Sequence, residues 1–71
     1  MPATSMTQTQ KLGNFIARER HYQGITQEQL AKDAGVSWPS VQRLEAGKGV
    51  QTATLDAVLR ALSLVLSVKR G

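Results

Sequence analysis

The 71-residue sequence contains no cysteine, which excludes a disulfide framework and any thiolate metal site. His21 is the only histidine, so a metal site or catalytic triad that needs a second histidine is excluded. The glycines of Gly47-Lys48-Gly49 lack the spacing of a phosphate-binding Walker loop. Apolar runs are too short to span a bilayer, and no signal-peptide segment follows Met1. These absences predict a protein that is not an enzyme, with no cofactor and no metal.

The charge of the chain is basic, with nine Lys and Arg against five Asp and Glu and a net charge of +4. A basic domain favours a polyanionic partner, although +4 is also an ordinary solubility charge for a small protein. The length allows one domain, which buries only roughly 60% of its unfolded surface. Dimerisation is therefore a natural supplement to its stability.

Residues 26–48 contain two short amphipathic helical patterns, and Thr26 is the N-cap expected for the first. The apolar positions of this helix follow helical spacing at Leu30, Ala31 and Ala34. Gly35 comes next and suits the left-handed position that ends a helix. The first helix is therefore predicted to end in a tight turn.

The second helix of this pair is predicted to begin after Ser37, a good N-cap, with Pro39 in its first turn. Val41 and Leu44 give it one apolar side, and Gly47 closes it. Two helices joined by a short turn that contains glycine form a helix-turn-helix pattern. The major groove of duplex DNA accepts one such helix.

The outward side of the second helix carries the candidate residues for DNA base readout. They are Trp38, Pro39, Ser40, Gln42 and Arg43. Arg43 can bind guanine and Gln42 adenine with paired hydrogen bonds, each discriminating by about 1–3 kcal/mol. Trp38 and Pro39 can press against a thymine methyl group, and an alternative for Trp38 is a half-buried anchor that orients the helix.

The run TQEQLAKDAGVSWPSVQRLEAGK resembles the helix-turn-helix of the lambda-repressor/Cro-like (XRE) family. The resemblance covers about two thirds of the chain. It implies an all-α fold of four to five short helices and a sequence-specific repressor that binds double-stranded DNA. A helical bundle without a nucleic-acid role is the alternative, because a fold alone does not fix function.

The resemblance also implies roles for individual residues. Arg20, near the end of helix 1, would pair with Glu45 at the end of the recognition helix and so tie helices 1 and 3 together. Phosphate contacts position such domains on DNA without carrying sequence information. The candidates for these contacts are Thr26, Gln27, Ser37, Lys48 and Arg18.

The flanking segments complete a single domain over residues 8–71 that follows a flexible arm over residues 1–7. Helix 1 is predicted over residues 8–22, with Leu12, Phe15 and Ile16 on its apolar side. Residues 47–51 form a loop before helix 4. The apolar stripe of helix 4 consists of Leu55, Val58, Leu59 and Leu62.

Residues 64–69 change the pattern, since β-branched and apolar residues alternate there with a period near two. This alternation predicts a short C-terminal strand, and a single strand must pair with another chain. We expect it to join two subunits of a homodimer through Leu64, Val65, Leu66, Ser67 and Val68. The alternative is that helix 4 simply continues.

A helix followed by a short Leu/Val strand, as in TLDAVLRALSLVLSVKR, resembles the HipB-type antitoxin branch of the family. That likeness implies a cytoplasmic, bacterial nucleoid-associated antitoxin that reads a palindromic operator. It would regulate its own operon and hold a HipA-like serine/threonine kinase toxin inactive. The alternatives are a phage-like or restriction-system regulator without a toxin, and a toxin-neutralising module that binds DNA weakly.

Overall fold

The computed structural model describes the backbone of residues 6–70 and the side chains of residues 6–63. This described part contains four α-helices and no strand. They are α1 (Gln8–Gln23), α2 (Gln27–Ala34), α3 (Trp38–Glu45) and α4 (Thr52–Arg70). The all-α prediction and the pair of short central helices are confirmed.

Two helices begin with the same capping device, in which a threonine and a glutamine exchange hydrogen bonds. At α2 the Gln29 N–H donates to Thr26 Oγ1 at 3.1 Å, and the Thr26 N–H donates to Gln29 Oε1 at 2.8 Å. Thr7 and Gln10 repeat this arrangement at α1, at 3.1 and 2.9 Å. Thr7, the last residue of the predicted arm, is therefore the N-cap of α1, and residues 1–5 of that arm lie outside the described residues.

The turn between α2 and α3 consists of residues 35–37. Gly35 has a φ of 71°, a left-handed conformation that a side chain disfavours, and its N–H bonds to the carbonyls of Ala31 and Lys32. Ser37 then caps α3 and Pro39 lies in the first turn, where a missing N–H costs little. The local sequence thus fixes the geometry of the helix-turn-helix.

The core draws on all four helices. Its fully buried side chains are those of Ile16, Leu30, Val41, Leu44 and Val58. Ala31, Ala61 and Leu62 complete the buried cluster, and α2 packs against both α3 and α4. The predicted stripe of α4 is present, although its members Leu55 and Leu59 are only partly buried.

The inner face of α1 differs from the prediction. Phe15 is 51% exposed, whereas Gly13, Ile16 and Arg20 are buried. Residues three or four apart share a helix face, and Phe15 lies about 100° around the helix from Ile16. Gly13 and Arg20 therefore lie on the inner side of α1, where the apolar pattern predicted Phe15.

Gly13 is buried because α1 comes very close to the end of α3. A Cβ at this position would collide with the carbonyl oxygen of Leu44 and would lie 3.2 Å from the Glu45 carbonyl oxygen. No L-residue with a side chain fits there without moving the backbone of α3. The glycine therefore sets the distance between these helices.

The C-terminal segment is helical in the structure, since α4 continues to Arg70. The strand predicted over residues 64–69 is therefore not seen, and the alternative of a longer helix 4 is found. In a single chain a lone strand leaves its N–H and C=O groups unpaired, whereas a helix pairs them internally. The predicted roles of Leu64, Val65, Leu66, Ser67 and Val68 concern side chains outside the described ones.

Candidate nucleic-acid interface

One side of α3 is open to solvent and polar, while the other is closed against the core. Trp38, Pro39, Gln42 and Arg43 are exposed, and Val41 is fully buried on the opposite side. Ser40 lies at the border, half-buried, with its hydroxyl 2.8 Å from that of Ser37. The structure therefore brings the five predicted readout residues to one accessible face and its edge.

A bidentate ion pair joins the end of α1 to the end of α3. Arg20 Nε donates to Glu45 Oε2 at 2.7 Å, and Arg20 Nη2 donates to Glu45 Oε1 at 3.0 Å. The two side chains are only 10% and 8% exposed. Arg20 Nη1 also donates to the carbonyl oxygen of Ile25 at 2.9 Å, so the guanidinium holds the loop before α2 as well.

Gln27 extends this pair to the start of α3. Its Nε2 donates to Glu45 Oε1 at 3.1 Å, and its Oε1 accepts the indole N–H of Trp38 at 3.2 Å. The opposite amide orientation would set an oxygen against a carboxylate and an NH₂ against a donor-only indole, so the chemistry fixes this one. A continuous polar chain therefore runs from Arg20 through Glu45 and Gln27 to Trp38.

The hydrogen bond to Gln27 holds Trp38 in place at the surface, where this residue is 45% exposed. Its indole N–H already donates to Gln27, so the side chain has no free hydrogen-bonding group. The sequence suggested Gln27 for phosphate binding, but did not suggest that it holds Trp38. Gln27 and Trp38 are 11 residues apart on different helices, so no local spacing would have revealed their contact.

The predicted phosphate contacts fall into two groups. Thr26 and Ser37 are exposed N-caps of α2 and α3, Gln27 is half-buried between those helices, and Lys48 is exposed just beyond α3. Arg18 is exposed too, but helical periodicity puts it on the side of α1 turned away from Gly13 and α3. The structure therefore brings four of the five candidates near the exposed face of α3 and separates Arg18 from them.

Two grooves flank α3. One, of about 520 Å³, lies between the α1–α2 connection and the Trp38 ring, with Thr26 and Gln27 in its wall. The other, of about 480 Å³, runs from Ser40 and Arg43 to Gln51 and Thr54. Gln51 and Thr54 were absent from the predicted site, although their position in the loop and helix directly after α3 was a usable signal.

Arg43 rests against the loop that follows its own helix. Its Nη2 donates to the carbonyl oxygen of Gly49 at 3.4 Å, a long bond between exposed groups. Long exposed bonds contribute little, so the guanidinium can leave this position at small cost. Arg43 is therefore oriented but not locked.

The described residues contain no group of three His, Cys, Asp or Glu side chains that could hold a metal ion. Within the same part of the chain, no helix is both long enough and apolar enough to cross a membrane.

Comparison with known proteins gives a match at the level of a family. A family model described as "Helix-turn-helix domain" matches residues 11–66, from α1 into α4 and across the whole α2–α3 unit. No curated protein and no solved structure matches the chain. A helix-turn-helix domain indicates a DNA-binding regulator with double-stranded DNA as its ligand. Since the match covers well over half of the chain, the protein belongs to the XRE-like helix-turn-helix domain family.

Proposed function

We propose that this protein is a sequence-specific transcriptional repressor that acts as a homodimer on a palindromic operator. The observation that carries the proposal is the exposed face of α3, where Trp38, Pro39, Gln42 and Arg43 stand opposite a fully buried apolar side. A helix presented in this way fits the major groove, where each base pair has its own pattern of donors and acceptors.

The roles on α3 follow from side-chain chemistry. Arg43 donates two hydrogen bonds to guanine, and the Gln42 amide pairs with adenine. The Pro39 side chain has no hydrogen-bonding atom, and the indole N–H of Trp38 already donates to Gln27. Their apolar surfaces therefore suit thymine methyl groups, so that α3 combines hydrogen-bond and apolar readout.

Phosphate contacts hold α3 in register. The first N–H groups of α2 lie beside Thr26 and Gln27, and helix N-termini favour anions. Lys48 supplies a cation at the other end of α3 and the Ser37 hydroxyl a further donor. These groups on both sides of α3 would contact the backbones that border one major groove.

A second subunit would provide the recognition helix for the second half-site of the operator. Two copies of α3 on a two-fold axis would lie about 34 Å apart, one helical turn of DNA, and would read a palindrome. We propose residues 64–69 as the contact between subunits, because their alternating pattern suits strand pairing once a second chain is present. In this view the segment changes from helix to strand on dimerisation.

The experiment first selects a duplex from random-sequence DNA. Binding of the protein to that duplex is then titrated, with fluorescence anisotropy as the readout. Arg43→Ala should weaken binding by about fivefold or more, since one bidentate contact is worth about 1–3 kcal/mol. Arg60→Ala is the matched control, because Arg60 is an exposed arginine paired with Asp56 on α4. Equal affinity for Arg43→Ala, Gln42→Ala and the wild type would reject readout by α3.

We further propose, on the resemblance of the C-terminal region to HipB-type proteins, that the repressor is an antitoxin. It would neutralise a HipA-like serine/threonine kinase toxin and regulate the operon that encodes both, as a non-enzymatic protein of the bacterial cytoplasm. A kinase-like reading frame beside this one, whose product loses activity when mixed with this chain, is the expected result. A neighbouring kinase that stays active in the mixture would leave a phage-like or restriction-system repressor.

A further inference from the structure

The outermost face of α1 carries four exposed side chains in a regular pattern: Lys11, Phe15, Arg18 and Tyr22. Their separations of four, three and four residues align them in one narrow stripe along the helix. Each cation precedes an aromatic residue by four positions, and the pair repeats after seven residues. These four residues are called the α1 stripe below.

The α1 stripe has no evident role within the described part of the chain. Phe15 is 51% exposed and Tyr22 is 78% exposed, whereas the opposite side of α1 is buried. Neither Lys11 nor Arg18 forms an ion pair there, since the ion pairs among described side chains are Arg20–Glu45 and Arg60–Asp56. Two exposed rings and two uncompensated charges on one ridge are typical of a surface that meets a partner.

We infer that the α1 stripe docks an acidic amphipathic helix of a partner protein. The heptad repeat carries the inference, because two helices pack along their length when their contact residues recur every seven positions. Phe15 and Tyr22 lie about 10 Å apart along α1, which matches two apolar residues seven apart on the facing helix. Carboxylates on that helix would complement Lys11 and Arg18.

The geometry favours a protein over a nucleic acid at this surface. Single-stranded nucleic acids bind in basic grooves that follow their backbone, whereas the α1 stripe is a convex ridge. It lies on the side of α1 opposite Gly13, the residue that contacts α3. A duplex bound by α3 therefore does not cover it, and the inference stands whether or not α3 reads DNA.

The experiment selects helical peptides from a randomised display library on the full chain. The expected peptides carry Asp or Glu together with Leu or Phe at seven-residue spacing, and they shift the amide resonances of α1 residues in a ¹⁵N spectrum. Phe15→Ser combined with Tyr22→Ser should weaken such a peptide by about tenfold or more, because exposed aromatic anchors dominate small interfaces. Arg60→Ala is the control and should bind the peptide as the wild type does.

Charge exchange makes the test specific. Lys11→Glu combined with Arg18→Glu should lose the acidic peptide and gain a peptide in which Lys replaces each acidic residue. Circular dichroism establishes that the variants fold. The ¹⁵N shifts of the unaltered chain locate the bound peptide on α1 without any substitution.

Several results would overturn the inference. They are selected peptides without acidic residues, equal binding to the double serine variant, or resonance shifts confined to other helices. Displacement of the peptide by oligo-dT, with the same resonances shifted, would assign the surface to nucleic acid instead. A dimer that becomes a monomer on Phe15→Ser and Tyr22→Ser would assign it to a second copy of this chain.

Discussion

Glu45 joins three helices through one carboxylate. Its oxygens accept two hydrogen bonds from Arg20 and one from Gln27, and the side chain is almost fully enclosed. Two charged groups with little solvent around them depend on each other, because removing one leaves the other buried and unpaired. The same carboxylate thus supports both the fold and the position of α3.

Replacing Glu45 by alanine should lower the free energy of unfolding by about 3 kcal/mol, since the Arg20 guanidinium stays buried without its counter-charge. Urea denaturation measures this directly. Asp56→Ala is the control, because the exposed Asp56–Arg60 pair should contribute less than about 0.5 kcal/mol. Equal losses of unfolding free energy in the two variants would show that the enclosed Arg20–Glu45 pair stabilises the fold no more than the exposed pair does.

Gly13→Ala should destabilise the protein by about 1–3 kcal/mol, although alanine is the better helix former. The new Cβ would collide with the Leu44 carbonyl oxygen, a backbone atom that cannot turn aside. Gly49→Ala is the matched control, since a Cβ there meets nothing within 4 Å and the residue has no positive φ. A more stable Gly13→Ala variant in thermal unfolding would mean that α1 and α3 are less closely packed.

The helix-turn-helix is the element that the sequence predicts best. Its caps and turn are local, so Thr26, Gly35 and Ser37 determine them through neighbouring residues alone. The spacing of apolar residues likewise predicted the buried side of α3 and the stripe of α4.

The failures of the prediction concern features that depend on distant residues. Periodicity placed Phe15 in the core because an apolar side chain fits the pattern of α1, but the side of α1 that packs inward carries Gly13, Ile16 and Arg20, and the Phe15 ring is exposed. The contact of Gln27 with Trp38 joins two helices and has no local signal. The alternation over residues 64–69 predicts a strand, yet in one chain α4 satisfies the backbone as helix.

At the scale of elements, the hydrogen bonds by which Gln27 of α2 contacts α3 can be tested through the fluorescence of Trp38, the only tryptophan in the chain. Gln27→Ala removes the acceptor of the Trp38 N–H and one donor to Glu45. The ring should become more mobile and more accessible to acrylamide quenching, with a stability loss of about 1 kcal/mol. Gln29→Ala serves as a comparison, since it alters the cap of the same helix without touching Trp38. Unchanged quenching in Gln27→Ala would contradict a fixed indole.

At the scale of the whole molecule, two subunits are needed for the proposed palindromic site. Light scattering on the full chain should give a dimer, and a chain that ends at Ser63 should give a monomer, because the truncation removes the proposed contact over residues 64–69. Circular dichroism of the truncated chain checks that its helices persist. A full-length monomer, or a dimer that survives truncation, would contradict this arrangement.

The salt dependence of DNA binding also belongs to the whole molecule. Each phosphate contact made by a cation adds about 0.9 to the slope of log affinity against log salt concentration. Lys48→Ala should therefore reduce that slope by about one per subunit and weaken all duplexes alike. If it instead changed the preferred sequence, Lys48 would be a base contact.

The central claim is that the exposed face of α3 reads base pairs, and the most direct measurement compares the DNA sequences selected from a random duplex library. The wild type should select a palindrome, and Arg43→Ala should select the same palindrome with one pair of symmetry-related positions relaxed from guanine. Arg60→Ala should select the wild-type sequence. An Arg43→Ala variant that selects an unchanged consensus, or a wild type that selects none, would contradict the account.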